Sequence, residues 1–307
     1  MKSAINPFQI AICHTIFNIT TTLLLLPFIN QLEKIAMAVV KDRKVEAEDI
    51  VFLDERLLLT PAFAIKECEN LTIKMAIIAK KNFFRSLKML NNFSEKRMEK
   101  IQRKEPVIDK YEDKLGMFLV NLSTKNLSDS DSREISKLLS TIGDLERIGD
   151  HAINILKVAN ELHEKNIILS EHVKQELQVL IEALSEIMEI TIDSFCKKDI
   201  EKAKMVEPLE QVIDILVSGA RDNHITRLQK GQCTLTDGFI YSEILTNIER
   251  VSDHCSNIAV YQIQVNKSSF DRHAYLNNVK SFKDADFNKN FDMYKNKYLR
   301  TPVQVSV

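Results

Sequence analysis

Two stretches decide the fold: DLERIGDHAIN, Asp144 to Asn154, and NIERVSDHCSN, Asn247 to Asn257. At an offset of 103, Glu146 matches Glu249, Arg147 matches Arg250, Asp150 matches Asp253, His151 matches His254 and Asn154 matches Asn257. A string repeated at such a distance marks a duplicated unit. Around the first copy, apolar residues recur three and four apart at Ile135, Leu138, Leu139, Ile142 and Leu145, then at Ala152, Ile153, Leu156 and Ala159. That period belongs to an amphipathic helix. Upstream of each copy lies a weaker match at an offset of 101, Asp109 and Asp113 against Glu210 and Asp214. The pairs Glu105-Pro106 and Glu207-Pro208 prefer an offset of 102, so the register there is loose.

Working outward, helices are predicted near 61–92, 95–126, 131–164, 170–197, 199–230 and 236–266. Pro61 suits a first helical position, and short polar breaks separate the segments. Long helices with short connections bury their stripes against antiparallel neighbours. The expected fold is all-α, with a six-helix domain over 61–266 made of two three-helix-bundle repeats, 61–164 and 170–266. Residues 33–60 read as a connector, and 267–307 as a tail of coil or short helices packed loosely on the bundle.

Composition narrows the classes. The 307 residues hold only six Gly and six Pro, and no GxGxxG or GxxxxGK[ST] string occurs. Rossmann units and phosphate loops are therefore disfavoured. With 42 basic and 43 acidic residues the net charge is −1, which argues against a nucleic-acid surface. Cys13, Cys68, Cys196, Cys233 and Cys255 are odd in number and widely spaced, so a disulfide framework or CxxC zinc site is not expected and a reducing compartment fits.

The first 32 residues differ from the rest. From Ser3 to Leu32 there is no charged side chain, and Phe8 to Ile29 reads FQIAICHTIFNITTTLLLLPFI. As a helix this stretch rises about 33 Å, enough for a hydrocarbon core of about 30 Å. A signal peptide is the rival reading, but only Lys2 precedes the stretch and no small-x-small cleavage site follows Leu32. Residues 1–32 are therefore expected to hold one transmembrane helix. Lys34, Lys41, Arg43 and Lys44 follow, so the helical domain should face the cytoplasm from the plasma membrane. Gln9, His14, Asn18 and Thr20 to Thr22 are polar for a lone anchor, which suggests sibling helices outside this chain.

Each repeat offers acid-x-x-x-acid pairs: Glu146 with Asp150 and Asp109 with Asp113 in the first, Glu249 with Asp253 and Glu210 with Asp214 in the second. A spacing of four sets both side chains on one helix face about 6 Å apart, where like charges repel. The pairs of the repeated motif interrupt an apolar stripe, and carboxylates drawn toward a core need a partner, a proton or a metal. These eight residues are the candidate metal ligands. Their all-oxygen chemistry favours hard cations: magnesium, manganese or iron. The alternative is a solvated, salt-bridged face, with Arg147 and Arg250 reaching the Asp one turn on. A di-iron oxidase needs Glu-x-x-His, and that position holds Gly149 and Ser252. His151 and His254 are accordingly expected to hydrogen-bond or support ligands rather than ligate. No nucleophile, base and oxyanion-forming turn come together, so no catalytic residue and no enzyme chemistry are expected.

The doubled motif resembles the signature of the PhoU family. That resemblance implies two three-helix repeats, multinuclear clusters of divalent or trivalent metal (iron, manganese, magnesium or zinc), and regulation of phosphate uptake. NPFQIAICHTIFNITTTLLLLPF, Asn6 to Phe28, is similar to the last membrane helix of bacterial sodium-dependent phosphate cotransporters. LDERLLLTPAFAIKE, Leu53 to Glu67, with HAYL at His273 to Leu276 and KNKYL at Lys295 to Leu299, resembles that family's junction and end. The leading expectation is a metal-binding regulatory domain of such a cotransporter, partnered with membrane-embedded transporter helices. The cotransporters carry further membrane helices and substrate segments that this sequence lacks, so it resembles their C-terminal part and should not transport phosphate alone. A free-standing PhoU-type regulator working with phosphate-sensing machinery is the second expectation, and a metal-dependent bundle enzyme the third.

Overall fold

The structure is a computed structural model that describes residues 7–28, 53–265 and 285–299. The chain divides into two compact units, Met1–Asp49 and Ile50–Val307. Lys34, Lys41, Arg43, Lys44 and the HAYL string fall outside the described residues.

In the first unit, helix α1 spans Pro7–Leu25 and ends in a 3-10 turn, Leu26–Phe28. The window Ala11–Phe28, mean hydropathy 1.5, is long and apolar enough to cross a membrane by length and composition. Three of its hydroxyls are satisfied within the helix. Thr15, Thr21 and Thr22 donate to the carbonyls of Ala11, Phe17 and Asn18 at 2.9, 2.7 and 2.8 Å, each four residues back. Polarity thus needs no outside partner at Thr15, Thr21 and Thr22, while His14, Asn18 and Thr20 are exposed.

The second unit is helical, with no strand among the described residues. A 3-10 turn, Glu55–Leu59, leads into α2, Pro61–Met89. Then come α3 (Glu95–Gln102), α4 (Glu105–Ser123), α5 (Asp129–Glu164), α6 (Glu171–Lys197) and α7 (Ile200–Ala203). Helices α8 (Val206–Gln229), α9 (Leu235–Val265) and α10 (Ala285–Tyr298) complete it. Side chains set the starts: Ser128, Ser170 and Asp199 accept from the backbone N–H of Asp131, Val173 and Lys202.

Helices α2, α4 and α5 form one bundle and α6, α8 and α9 the other; α5 lies against α9, and α2 touches α6. One continuous apolar core runs through both, from Leu138, Ile142, Leu145 and Ile148 on α5 to Ile244, Ile248 and Val251 on α9. Leu139, in the sequence stripe, lies only at its margin, and Ile153 packs against a separate small cluster of Met89, Ile101, Leu156 and Ala159.

Two predicted helices are each broken. The stretch 95–126 is α3 plus α4, and 199–230 is α7 plus α8. The cause is Pro106 and Pro208, which lack an N–H and clash with the carbonyl four back, so a new helix begins just before each proline. The described part of the tail is one short helix on the bundle. Helix α10 packs on α8, burying Phe287, Tyr294 and Tyr298, and the Tyr298 hydroxyl donates to Glu186. These rings recur at i, i+4, i+7 and i+11 with Phe291, an apolar face that must be covered.

Charged ties also cross the repeats. Lys80 pairs with Glu189, and Lys198 reaches Glu69 at 3.0 Å and Glu134 at 3.5 Å. Near the start of α9, a Cβ on Gly238 would stand 2.7 Å from Nε2 of the buried His224, which itself packs on the Tyr241 ring. Gly238→Ala should therefore destabilise by about 1–3 kcal/mol through overpacking, despite alanine's better helix propensity. Gly219→Ala, whose Cβ meets nothing within 4 Å, should instead stabilise by about 0.5–1 kcal/mol. Urea unfolding of both variants checks the contrast.

Candidate metal centre

In the first repeat, α5 presents Glu146 and Asp150, and α4 presents Glu105 and Asp109. Burial pushes the Glu146 carboxyl up to about 7, reinforced by the neighbouring Asp150 charge and a hydrogen bond to it, and opposed by Arg147. Asp109 is raised by burial and then by Asp150 and Asp113; Glu105 is raised by burial and then by Asp109 and Asp150. Four acids thus share one half-buried patch between α4 and α5. Arg147 approaches Glu146 at 3.6 Å and Asp150 at 3.5 Å, yet its own side chain is 64% exposed. Asp113 is exposed and acts on the patch only as a charge near Asp109.

In the second repeat, single carboxylate oxygens of Glu210 and Asp214 on α8 and Asp253 on α9 lie within 4.8 Å of one another. Oxygens on opposite sides of a cation bonded at about 2.1–2.4 Å stand about 4.2–4.8 Å apart, so the triad has the dimensions of a cation site. Burial raises the Asp253 carboxyl, against the pull of Arg250 at 3.4 Å. Glu249, the remaining predicted ligand, is turned away from the triad onto Arg221. The guanidinium grips it at 2.6 and 3.4 Å and donates to Thr246 Oγ1 at 3.2 Å. Buried Glu207 accepts from Ser256.

The two histidines cross between repeats. His151 Nδ1 lies 2.8 Å from Asn247 Oδ1, and His254 Nδ1 lies 2.7 Å from Asp144 Oδ1. Asn247 Nδ2 donates to the Glu243 carbonyl at 2.8 Å, which leaves its oxygen toward His151. Both histidines therefore donate from Nδ1, an assignment made from the bonding network. Burial lowers the His151 imidazole below its ordinary range. Asn257 adds a bond to Asp144 Oδ1 at 3.2 Å. Asp144 and Asn247 occupy the same motif position, so the arrangement is a pseudo-two-fold pair of His-to-Asx bonds.

Glu105, Glu207, Arg221 and the Asp144/Asn247 pair escaped the sequence reading. The duplicated Glu-Pro dipeptide was the available signal for the first two, and the motif's own first residue for the last.

Comparison with known proteins follows the same lines. A Thermotoga maritima protein, "Phosphate-specific transport system accessory protein PhoU homolog 1", is 27% identical over 126 residues, covering 41% of this chain and 53% of that relative. The chain therefore spans about half the length of that curated relative. The crystal structure of PhoU from Pseudomonas aeruginosa matches with a TM-score of 0.63 at 20% identity, over 66% of this chain and 97% of that one. PhoU from Streptococcus pneumoniae, a phosphate transport system regulatory protein, matches with a TM-score of 0.60 at 20% identity, over 68% of this chain and 98% of that one. At such identities the two structures establish the fold alone. The PhoU domain family itself matches residues 72–159 and 177–261, one segment in each bundle and together more than half of the sequence, and the chain belongs to that family.

Proposed function

We propose that the chain is a PhoU-type regulator of phosphate transport whose conformation is set by cations held between the second and third long helices of each repeat. The observation that carries this is the convergence of Glu210, Asp214 and Asp253 within 4.8 Å. Glu105, Asp109, Glu146 and Asp150 would hold a cation in the first repeat. Iron, manganese, magnesium and zinc are all compatible with carboxylate donors. A cation held by these carboxylates would supply positive charge between α4 and α5 in the first repeat and between α8 and α9 in the second. In the second repeat Arg221 competes for Glu249, so Glu249 ligates only after that pair opens. The role is regulatory rather than catalytic, with phosphate-sensing or transport machinery as the partner.

Calorimetric titration of the full-length protein with Mn²⁺ tests the reading. Asp109→Asn with Asp150→Asn should abolish uptake by the first repeat, and Glu210→Gln with Asp214→Asn uptake by the second. Equal Mn²⁺ uptake by wild type and both variants would overturn it.

The apolar helix α1 favours a second arrangement, in which the regulator is tethered at the plasma membrane beside a sodium-dependent phosphate cotransporter's helices, with its bundles in the cytoplasm. Fractionation decides between the two. A chain that stays with membranes after an alkaline wash supports the tether, and one found in the soluble fraction supports a free regulator.

A further inference from the structure

We infer that the crossed pairs His151–Asn247 and His254–Asp144 couple the two carboxylate sites, so that a cation bound in one repeat tightens binding in the other. The inference rests on the cation-binding reading above.

The covalent arrangement forces the link. On α5, Asp150 is followed directly by His151, whose Nδ1 reaches Asn247 on α9 at 2.8 Å. On α9, Asp253 is followed directly by His254, whose Nδ1 reaches Asp144 on α5 at 2.7 Å. Each helix thus carries a site acid with a histidine directly after it, and the acceptor for the other helix's histidine. The two imidazole rings lie 5.6 Å apart between centroids, tilted by 37°, where α5 lies against α9. A small shift or rotation of α5 that brings Asp150 toward Asp109 moves His151 and Asp144 as one body. Helix α9 must then follow, or buried hydrogen bonds break. Breaking them is unfavourable: Asp144 is buried, His254 and Asn257 share its Oδ1, and its Oδ2 has no hydrogen-bond partner among the described residues. Because the arrangement is pseudo-two-fold, the displacement that closes one site closes the other, and the coupling is positive and reciprocal.

The alternative routes between repeats are the ionic contacts of Lys80 with Glu189 and of Lys198 with Glu69 and Glu134. These residues lie outside both sites, and Lys198 is half exposed, so they hold the bundles together without reporting on the ligands.

The experiment measures Mn²⁺ affinity of the first site in the full-length protein, with the second site intact or disabled by Glu210→Gln and Asp214→Asn. Disabling the second site should weaken the first by roughly 5- to 150-fold, the usual range for linked sites. In the Asp144→Leu, His254→Leu double variant, which replaces both members of one crossed pair by apolar groups, that ratio should fall. His151→Leu with Asn247→Leu should do the same. A ratio near one in wild type, or one below it, overturns the inference. So does a ratio that survives both double variants. Should the leucine variants not fold, hydrogen exchange on the Glu210→Gln, Asp214→Asn protein decides: Mn²⁺ at the first site should slow exchange along α9, and unchanged α9 exchange overturns the coupling. No Mn²⁺ uptake at all is a different outcome, since it removes the cation reading itself.

Discussion

Glu176→Ala should lower the stability of the helical unit by about 3–5 kcal/mol. Glu176, on α6, is the hub of a polar cluster inside the second bundle. Arg227 on α8 donates to both of its oxygens at 2.9 Å. Asn223 donates at 3.0 Å, and the Tyr241 hydroxyl on α9 donates at 2.6 Å. The side chains of Arg227 and Glu176 are only 13% and 6% exposed. A planar guanidinium meeting a carboxylate through two parallel bonds is the geometry in which a buried pair recovers most of its desolvation cost. Truncation at Glu176 leaves a buried guanidinium, an amide and a phenol facing an apolar void. An uncompensated buried charge dominates that loss. The double variant Glu176→Leu, Arg227→Leu separates the two contributions. It removes both charges and refills the space, so it should recover most of the lost stability. Urea denaturation of wild type, single and double variants closes the cycle. A single variant within about 1 kcal/mol of wild type would show that water reaches the guanidinium and that the cluster is not the hub described.

That cluster marks the boundary of what the sequence could convey. The duplication was legible because it is written in consecutive residues: DLERIGDHAIN and NIERVSDHCSN carry the helix period and the repeated acids together. From it followed two bundles of three long helices, and the structure and the family match agree with that architecture. Partners supplied by another helix were not legible. Arg221 takes Glu249 from 28 residues away, and nothing in the local spacing of either residue announces it. The crossing of His151 to Asn247 spans 96 residues and depends on α5 lying against α9, which period and polarity do not encode. The broken helices were a different failure. Glu105-Pro106 and Glu207-Pro208 were visible, but the apolar period carried across them, and the missing amide proton at proline outweighs that period. The tail's Asn- and Lys-rich composition is compatible with coil or a short helix, and the stripe of four rings is what seats α10 on the bundle. Among the predicted ligands, a spacing of four sets a pair on one helix face, but it does not say which members turn inward. Glu210 is buried and Asp113 is exposed, although they belong to the same kind of pair.

Glu146→Gln should stabilise the cation-free protein above neutral pH, and the sign follows from the direction of one shift. In the fold the Glu146 carboxyl titrates at about 7, raised from an ordinary 4.5 by burial and by Asp150. Between those two values the unfolded chain releases this proton while the folded chain retains it. Stability therefore falls as pH rises through the window, and the full penalty is present above about 7. Because the patch is partly open to solvent, screening reduces the effect to on the order of 1 kcal/mol. For a unit of this size that corresponds to about 2–4 °C in Tm. Glutamine keeps the shape and carries no charge, so the wild type minus variant difference should be small near pH 4.5 and reach its limit near pH 8. Adding Mn²⁺ at pH 8 should reverse the order, because a cation stabilises the ionised carboxylate and a ligand that binds only the folded state raises its stability with concentration. Thermal melts of both proteins at pH 5 and pH 8, with and without Mn²⁺, give the result. A wild type more stable than the variant at pH 8 without cation would mean that Arg147 already neutralises the patch. The acids would then be a solvated, salt-bridged face. A reversal on adding Mn²⁺ would instead identify the repulsion as the feature that makes the first repeat responsive to a cation: an arrangement unfavourable by itself persists where occupancy relieves it.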